Sequence, residues 1–383
     1  MLLKKGLVLI VCIFSLTNLL AQESTVPKTF LNGYVKVLQT NTFDNINHSN
    51  FSSQLVHNRI NFKWKPNSIL AFTSELRNRF FFGDQIASTP NFVNQLRNSS
   101  DYFNLQKTWI NNDNVVFITN VERLYVDIKK EKWDIRLGRQ RVNWGVATTW
   151  NPNDLFNAYN FLDFDYEERP GTDAVKFKYL ITDFSTIEFV HSKSNNNKSI
   201  SVAKYAMNKW NYDFQFIAGM FKETWTLGTG WAGSIKDAGF KGEVQYYFNN
   251  KQVTDQLNMT VELDYMFKKG WYINAGSLFN SRGLNKGVAN WSDLNLNLSA
   301  KNLMPTKYNF ILTARKQFTP ISSAGCSVVF APNVNLFLLM PSFSYNISEK
   351  LDADFICQSF FLQYSGPIKT ANVMAYLRCR YSF

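Results

Sequence analysis

The residues best suited to chemistry fall in one stretch, LGRQRVNWGVATTWNPNDLF, spanning 137–156. Arg139 and Arg141 flank Gln140 there, Arg136 lies just ahead, and Trp144, Asn151 and Asp154 follow. An acidic run, LDFDYEERPGTD, comes next and carries Asp163, Asp165, Glu167, Glu168 and Arg169. Guanidinium forks beside carboxylates suit two tasks: steering an anion, or bracing a loop. Hydrolysis has less to work with. Of the three histidines, His48 lies in a loop, His57 alternates to the lumen face, and His191 adjoins Ser192 without a recognisable Asp partner. Neighbours on a strand point to opposite faces, so that dyad has poor geometry and no enzyme is expected. Asp163, Asp165 and Glu167 lack the glycine-containing loop of an EF-hand. No metal-ligand cluster, phosphate-binding glycine loop or nucleotide fingerprint occurs, so no cofactor is expected either.

What positions these residues is a period-two alternation in segments of about ten residues. In VHNRINFKW, Val56, Ile60, Phe62 and Trp64 share one face, opposite His57, Arg59 and Lys63. LAFTSELRNRF sets Leu70, Phe72, Leu76 and Phe80 against Glu75, Arg77 and Arg79. WDIRL, YDFQFIAGM, FKGEVQYYF and TVELDYMF repeat the pattern. Soluble sandwiches alternate too, so two further features decide. Tight turns near Pro66, Lys130, Asp183, Lys209, Asp237, Lys269, Pro320 and Ser348 alternate with longer Asn/Ser-rich loops, notably 81–119, 142–171 and 281–305. Aromatics, 16 % of the chain, gather at strand ends (Trp64, Trp133, Tyr212, Phe267, Trp271), as girdles at membrane interfaces do. The expected fold is all-β: a transmembrane antiparallel barrel of about 18 strands, 16 being the alternative, with short periplasmic turns and long extracellular loops. Closure into a barrel removes strand edges that lipid cannot satisfy.

The chain begins with Lys4 and Lys5 ahead of an uncharged apolar run from Gly6 to Leu20. That run is shorter than the roughly 20 residues a spanning helix needs. Residues 1–21 therefore read as a secretory signal cleaved after Ala21, and 22–383 as a single barrel domain. Cys326, Cys357 and Cys379 fall on the lipid-facing parity and read as small apolar fillers. The net charge of +12 is no nucleic-acid footprint, because the basic residues alternate with lipid-facing aromatics.

With lipid and lumen assigned, Arg59, Lys63, Arg77, Arg79, Arg123, Arg136, Arg378 and Arg380 point inward. Two readings follow: a wet wall that tolerates charge, or a positive wall that selects anions. Arg139 and Arg141 fall on the opposite register, re-aimed by a bulge at Gly138 or facing headgroups and loops. The segment 142–171 is too long for an ordinary hairpin. Its two tryptophans favour folding into the barrel mouth, where its carboxylates would oppose wall arginines across a constriction.

LGRQRVNWG, NPNDLF and RPGTDAVK resemble a Gly-Arg-Gln, Trp-Gly, Asn-Pro-x-Asp signature of porin-like barrels of the alginate-export type and related uncharacterised Gram-negative outer-membrane families. GWAGSIKDAGFKGEVQYY, 230–247, is also similar to them, and an Ala-Gln cleavage point with an Asn/Phe-rich style suggests a Bacteroidetes-like origin. The resemblance covers under a third of the chain. Its motif positions here are Gly138, Arg139, Gln140, Trp144, Gly145, Asn151, Pro152 and Asp154. It implies an outer-membrane pore for small or oligomeric solutes, without naming the solute. The final strand, NVMAYLRCRYSF, resembles the closing strand of bacterial outer-membrane barrels, whose last aromatic, here Phe383, is read by the barrel-assembly machinery. The expectation is a passive or weakly selective channel in the cell outer membrane, its partners being the lipid bilayer, that machinery and a small-molecule or oligosaccharide solute. The alternative is a closed barrel that is structural or binds surface glycans or partners.

Overall fold

The computed structural model describes residues 28–46, 48–96, 101–157, 163, 165, 170–194, 196–249, 254–288, 294, 298–363 and 366–383. Residues 1–21, expected to be a secretory signal, and Glu167, Glu168 and Arg169 lie outside the described residues. The strands are β1 (Thr29–Asp44), β2 (Ser49–Trp64), β3 (Leu70–Gly83), β4 (Gln106–Asn111), β5 (Val115–Lys130), β6 (Trp133–Gln140), β7 (Thr172–Thr182), β8 (Ser185–Lys193), β9 (Ser199–Lys209) and β10 (Tyr212–Phe221). They continue as β11 (Thr224–Ile235), β12 (Ala238–Phe248), β13 (Gln256–Phe267), β14 (Trp271–Asn280), β15 (Tyr308–Thr319), β16 (Ser322–Ala331), β17 (Leu336–Ser348), β18 (Leu351–Gln363) and β19 (Ile368–Ser382). Two short helices, α1 (Asp84–Ser88) and α2 (Phe92–Gln95), lie between β3 and β4.

Each strand pairs antiparallel with its neighbours, and β1 pairs with β19 from Tyr34↔Ser382 to Asp44↔Asn372, closing the sheet. Eighteen strands form the wall. The additional one, β4, has a distinct job. β6 leaves the wall at Gln140, so it covers only the turn-side half of β5, from Leu124↔Arg139 to Lys130↔Trp133. β4 pairs with the loop-side half, from Gln106↔Asn120 to Asn111↔Val116, and satisfies backbone groups that would otherwise face lipid bare. β4 falls inside the expected loop 81–119, because QKTWIN is too short to show a period.

Burial is inverted relative to a soluble protein. Leu312 and Leu377 are 53 % and 54 % exposed, whereas Glu243, Gln245 and Asn258 are fully buried. The exposed apolar face suits lipid and the polar face lines the interior. Among the described residues no helix is long and apolar enough to cross a membrane, so strands do the crossing. Apolar clusters also occur inside the barrel toward the loop side. One packs Trp150 with Leu278, Leu303, Met304 and Leu336. Another joins Trp144 and Phe156 to Ile217 and Tyr247. The third sets Ile86 of α1 and Phe92 of α2 against Phe81, Val116 and Ile118.

Candidate functional site

The segment after β6 turns inward and binds the far wall. Trp144 and Trp150 are buried. The Trp144 indole N–H donates to Glu188 on β8 at 3.1 Å, and Gln215 on β10 donates to the Trp144 carbonyl at 2.7 Å. Glu243 on β12 accepts main-chain N–H bonds from Val146 (2.5 Å), Ala147 (2.8 Å) and Asn153 (2.8 Å). Glu262 on β13 accepts from Thr148 (2.7 Å) and Thr149 (2.8 Å). Two wall carboxylates thus gather five backbone donors of a loop that has no ladder of its own, which lets it be buried at all. Gly145 packs on the Asn151 side chain, whose amide donates to the Ala147 carbonyl at 3.0 Å. Gly230 on β11 leaves room for the same loop, since a Cβ there would meet Gln215 Nε2 at 2.8 Å and Asn153 Nδ2 at 3.0 Å. The motif residues Gly145, Asn151 and Asp154 are therefore folding determinants of the segment, with Asn151 and Asp154 both buried.

This corrects the expected polarity over 142–157. There the loop presents backbone donors and the wall presents carboxylates, not the reverse. Nothing in the sequence pairs Glu243 and Glu262 with main-chain groups some hundred residues away, or Glu188 with the Trp144 indole. Further along, the loop does carry a carboxylate that meets wall cations. Asp165 meets Lys36 of β1 at 2.8 Å and Arg378 of β19 at 3.7 Å. Lys36 is fully buried and was missed, because VKVLQ reads as one cation among apolar residues. Burial, then the neighbouring Asp165, raises the Asp163 carboxyl above its ordinary range. Asp165 is thus held by two cations, and Glu167 lies outside the described residues.

The wall arginines form cross-strand ion pairs. Arg59 meets Glu75, Arg77 meets Glu122 at 2.6 Å, and Arg136 meets Asp127 at 2.5 Å. Arg378 meets Asp354 at 2.9 Å and Arg380 meets Asp352 at 2.7 Å. The interior is thus a ladder of ion pairs, less positive than a count of arginines suggests. Arg79 donates to Asn120 at 3.1 Å, and Lys63 is half-buried near the turn-side end of β2. A bulge between β3 and β5 pairs Glu75 with Arg123 and Leu76 with Val121, leaving Glu122 as the extra residue. Glu122 and Arg123 are consequently both buried, although they are adjacent.

A cavity of about 520 Å³ lies between this wall and the loops. His57, Arg77 and Arg79 line it from β2 and β3, Tyr376 from β19, and Asp163 and Asp165 from the infolded segment. It brings together residues far apart in sequence and presents cations on one side and carboxylates on the other.

Arg139 is elsewhere. It keeps the outward register of Leu137, but the chain before β4 covers it. Its guanidinium bonds Asp173 through Nε (2.9 Å) and Nη2 (2.8 Å), and also meets Asp101 at 3.0 Å and the Phe103 carbonyl at 2.5 Å. Asp173 in turn accepts the main-chain N–H groups of Tyr102 and Phe103 at 2.8 and 2.9 Å. Gly138 has φ +118°, yet the pairing with β5 and β7 runs on without a shift, so no bulge re-aims Arg139. Gln140 is fully buried and its amide donates to the Ala174 carbonyl at 2.9 Å, while Arg141 is half-buried just past the strand.

No family model matches the chain, and no curated protein matches it. The fold matches solved outer-membrane porin barrels. OccAB4 of Acinetobacter baumannii aligns with TM-score 0.59 at 9 % identity, over 94 % of this chain and 100 % of that one. OpdQ of Pseudomonas aeruginosa aligns with TM-score 0.58 at 7 % identity, over 94 % and 99 %. OccK5 (OpdH) of the same organism gives 0.59 at 6 %, over 93 % and 98 %. At these identities the likeness is one of architecture alone, that of a large closed antiparallel β-barrel.

Proposed function

We propose that this protein is a porin-like channel whose lumen, narrowed by the infolded 142–171 segment, passes small or oligomeric solutes with a preference for anions. The observation that carries the reading is the 520 Å³ cavity, where Arg77, Arg79 and His57 face the loop carboxylates Asp163 and Asp165. An anion there exchanges its hydration for guanidinium donors, and a cation meets them as a barrier. Selectivity is weak, since most of the ladder is already neutralised by its own carboxylates. The resemblance to alginate-export-type barrels, with a Bacteroidetes-like source, adds an acidic oligosaccharide as the oligomeric solute to test first. Assembly proceeds through recognition of the β19 strand ending in Phe383.

The experiment is a reversal potential in planar bilayers under a KCl gradient. The wild type gives an anion-selective potential, and Arg77→Gln with Arg79→Gln moves it toward cations. Cation preference in the wild type would sink the proposal.

A closed barrel that binds surface glycans or partners is the second reading, favoured by one observation: the apolar clusters around Trp150 and Trp144 fill part of the loop-side interior. Absence of conductance in the same bilayers, with binding to cell-surface polysaccharide, selects it.

A further inference from the structure

A second cavity, of about 340 Å³, opens at the loop-side mouth on the opposite sector of the barrel. Lys198, at the start of β9, the β10–β11 turn with Lys222, and the 299–302 turn with Lys301 converge on it. Local structure places two of these cations. Lys222 sits in a two-residue connection with φ +58°. Ser299 and Asn302 exchange main-chain hydrogen bonds of 3.0 and 2.9 Å, and the buried Tyr247 hydroxyl donates to the Ala300 carbonyl at 3.2 Å, so Lys301 is presented by a pinned turn. Lys301 lies 4.8 Å from the Tyr247 ring centroid and donates to Asn249 at 2.9 Å, and Lys222 lies 5.3 Å from the Phe221 ring. The acidic group lining the cavity is Glu223, which is largely exposed and reaches Lys198 at 3.3 Å.

Among the described residues lining the pocket, three ammonium groups face one carboxylate, an excess of positive charge in a partly enclosed space. The groups resist each other. Burial and then Lys198 lower the Lys222 ammonium, and burial followed by Arg282, Lys222 and Lys198 lowers that of Lys301. Nothing in the packing requires like charges to be gathered this way, and repulsion of this kind is relieved by a bound anion.

We propose that this pocket is a binding site for a compact, multiply charged oxyanion of the phosphate class, held by Lys198, Lys222 and Lys301. Two sources share that chemistry: a soluble solute and a lipid headgroup. The lining favours the solute, because the buried Phe221 and Leu155 belong to the interior whereas the neighbouring lipid-facing residue, Trp225, is 63 % exposed on the other side of β11. Leu155, Phe156 and Asn157 form another wall, so an occupant touches the chain that continues from the Glu243-bound segment. The site stands whether or not the lumen conducts.

The test is calorimetric titration of the detergent-solubilised barrel with inorganic pyrophosphate at low ionic strength. Saturable one-to-one binding is expected, weakened about tenfold by Lys222→Gln and again by Lys301→Gln, since each removes a charge-assisted hydrogen bond. Lys350→Gln, at an exposed turn on the far rim, leaves it unchanged. Lys222 is exposed in its turn, so its variant folds even where Lys301→Gln does not. No saturable heat, or equal affinity in wild type and Lys222→Gln, overturns the proposal. A second arm repeats the titration in vesicles of phosphatidylcholine with and without phosphatidic acid. Unchanged affinity supports the soluble source. Loss of pyrophosphate binding on adding phosphatidic acid would show the headgroup in the pocket and overturn that source.

Discussion

At the scale of single residues, Arg139 shows how far type and spacing carry an argument. Its place beside Arg136 and Arg141 suggested a site for an anion, and two register options were open. The structure takes the outward one, and Asp101, Asp173 and the Phe103 carbonyl surround the guanidinium. These partners come from a strand reached after a long loop and from a loop reached before β4, so no local pattern announced them. A buried charge stripped of its partner is costly. Arg139→Ala therefore destabilises the barrel by about 3–5 kcal/mol, measured by urea unfolding followed through tryptophan fluorescence. Replacing Arg139 and Asp173 together by apolar residues costs more than Arg139→Ala alone, because Asp173 also holds the Tyr102 and Phe103 main-chain N–H groups. An equal or smaller loss in the double variant would show that Asp173 holds little beyond the guanidinium.

At the scale of elements, the strands were legible and their attachments were not. Parity alone assigned Arg59, Arg77 and Arg79 to the interior, because lipid on one side and polar lumen on the other leave a two-residue period in the sequence. The infolded segment was visible only as two tryptophans out of place in a loop. Its anchors, Glu243 and Glu262, bond backbone N–H groups, which carry no residue identity for a sequence to display. The same physics gives a prediction. Glu243→Ala leaves three buried N–H donors without their acceptor, and each charge-assisted bond is worth about 1.5–3 kcal/mol. The segment then detaches, protease cuts between residues 142 and 157, and single-channel conductance rises if the lumen is open. Glu243→Gln, which keeps one acceptor oxygen, falls between the two. Unchanged proteolysis in Glu243→Ala would show that the apolar clusters hold the loop without help.

At the scale of the whole molecule, the wall is a sheet turned inside out. Leu312 lies midway along β15 on the lipid face, so Leu312→Arg costs about 2–4 kcal/mol in a bilayer and much less in detergent, where water reaches the belt. Comparing unfolding midpoints in vesicles and micelles checks this, and equal losses in both would argue against a lipid-facing position. The β1–β19 seam has a consequence of a different order. It joins Tyr34 to Ser382, and Gly33 and Phe383 exchange main-chain hydrogen bonds of 3.0 and 2.9 Å beyond it. Every other wall contact is between neighbours in the chain, so this one bears nearly the whole cost of bringing distant ends together. Until it forms, a nearly complete sheet has two bare edges and no stable place in lipid. Insertion is then a race between edge pairing within one molecule and edge pairing between two, decided by how long the last strand waits.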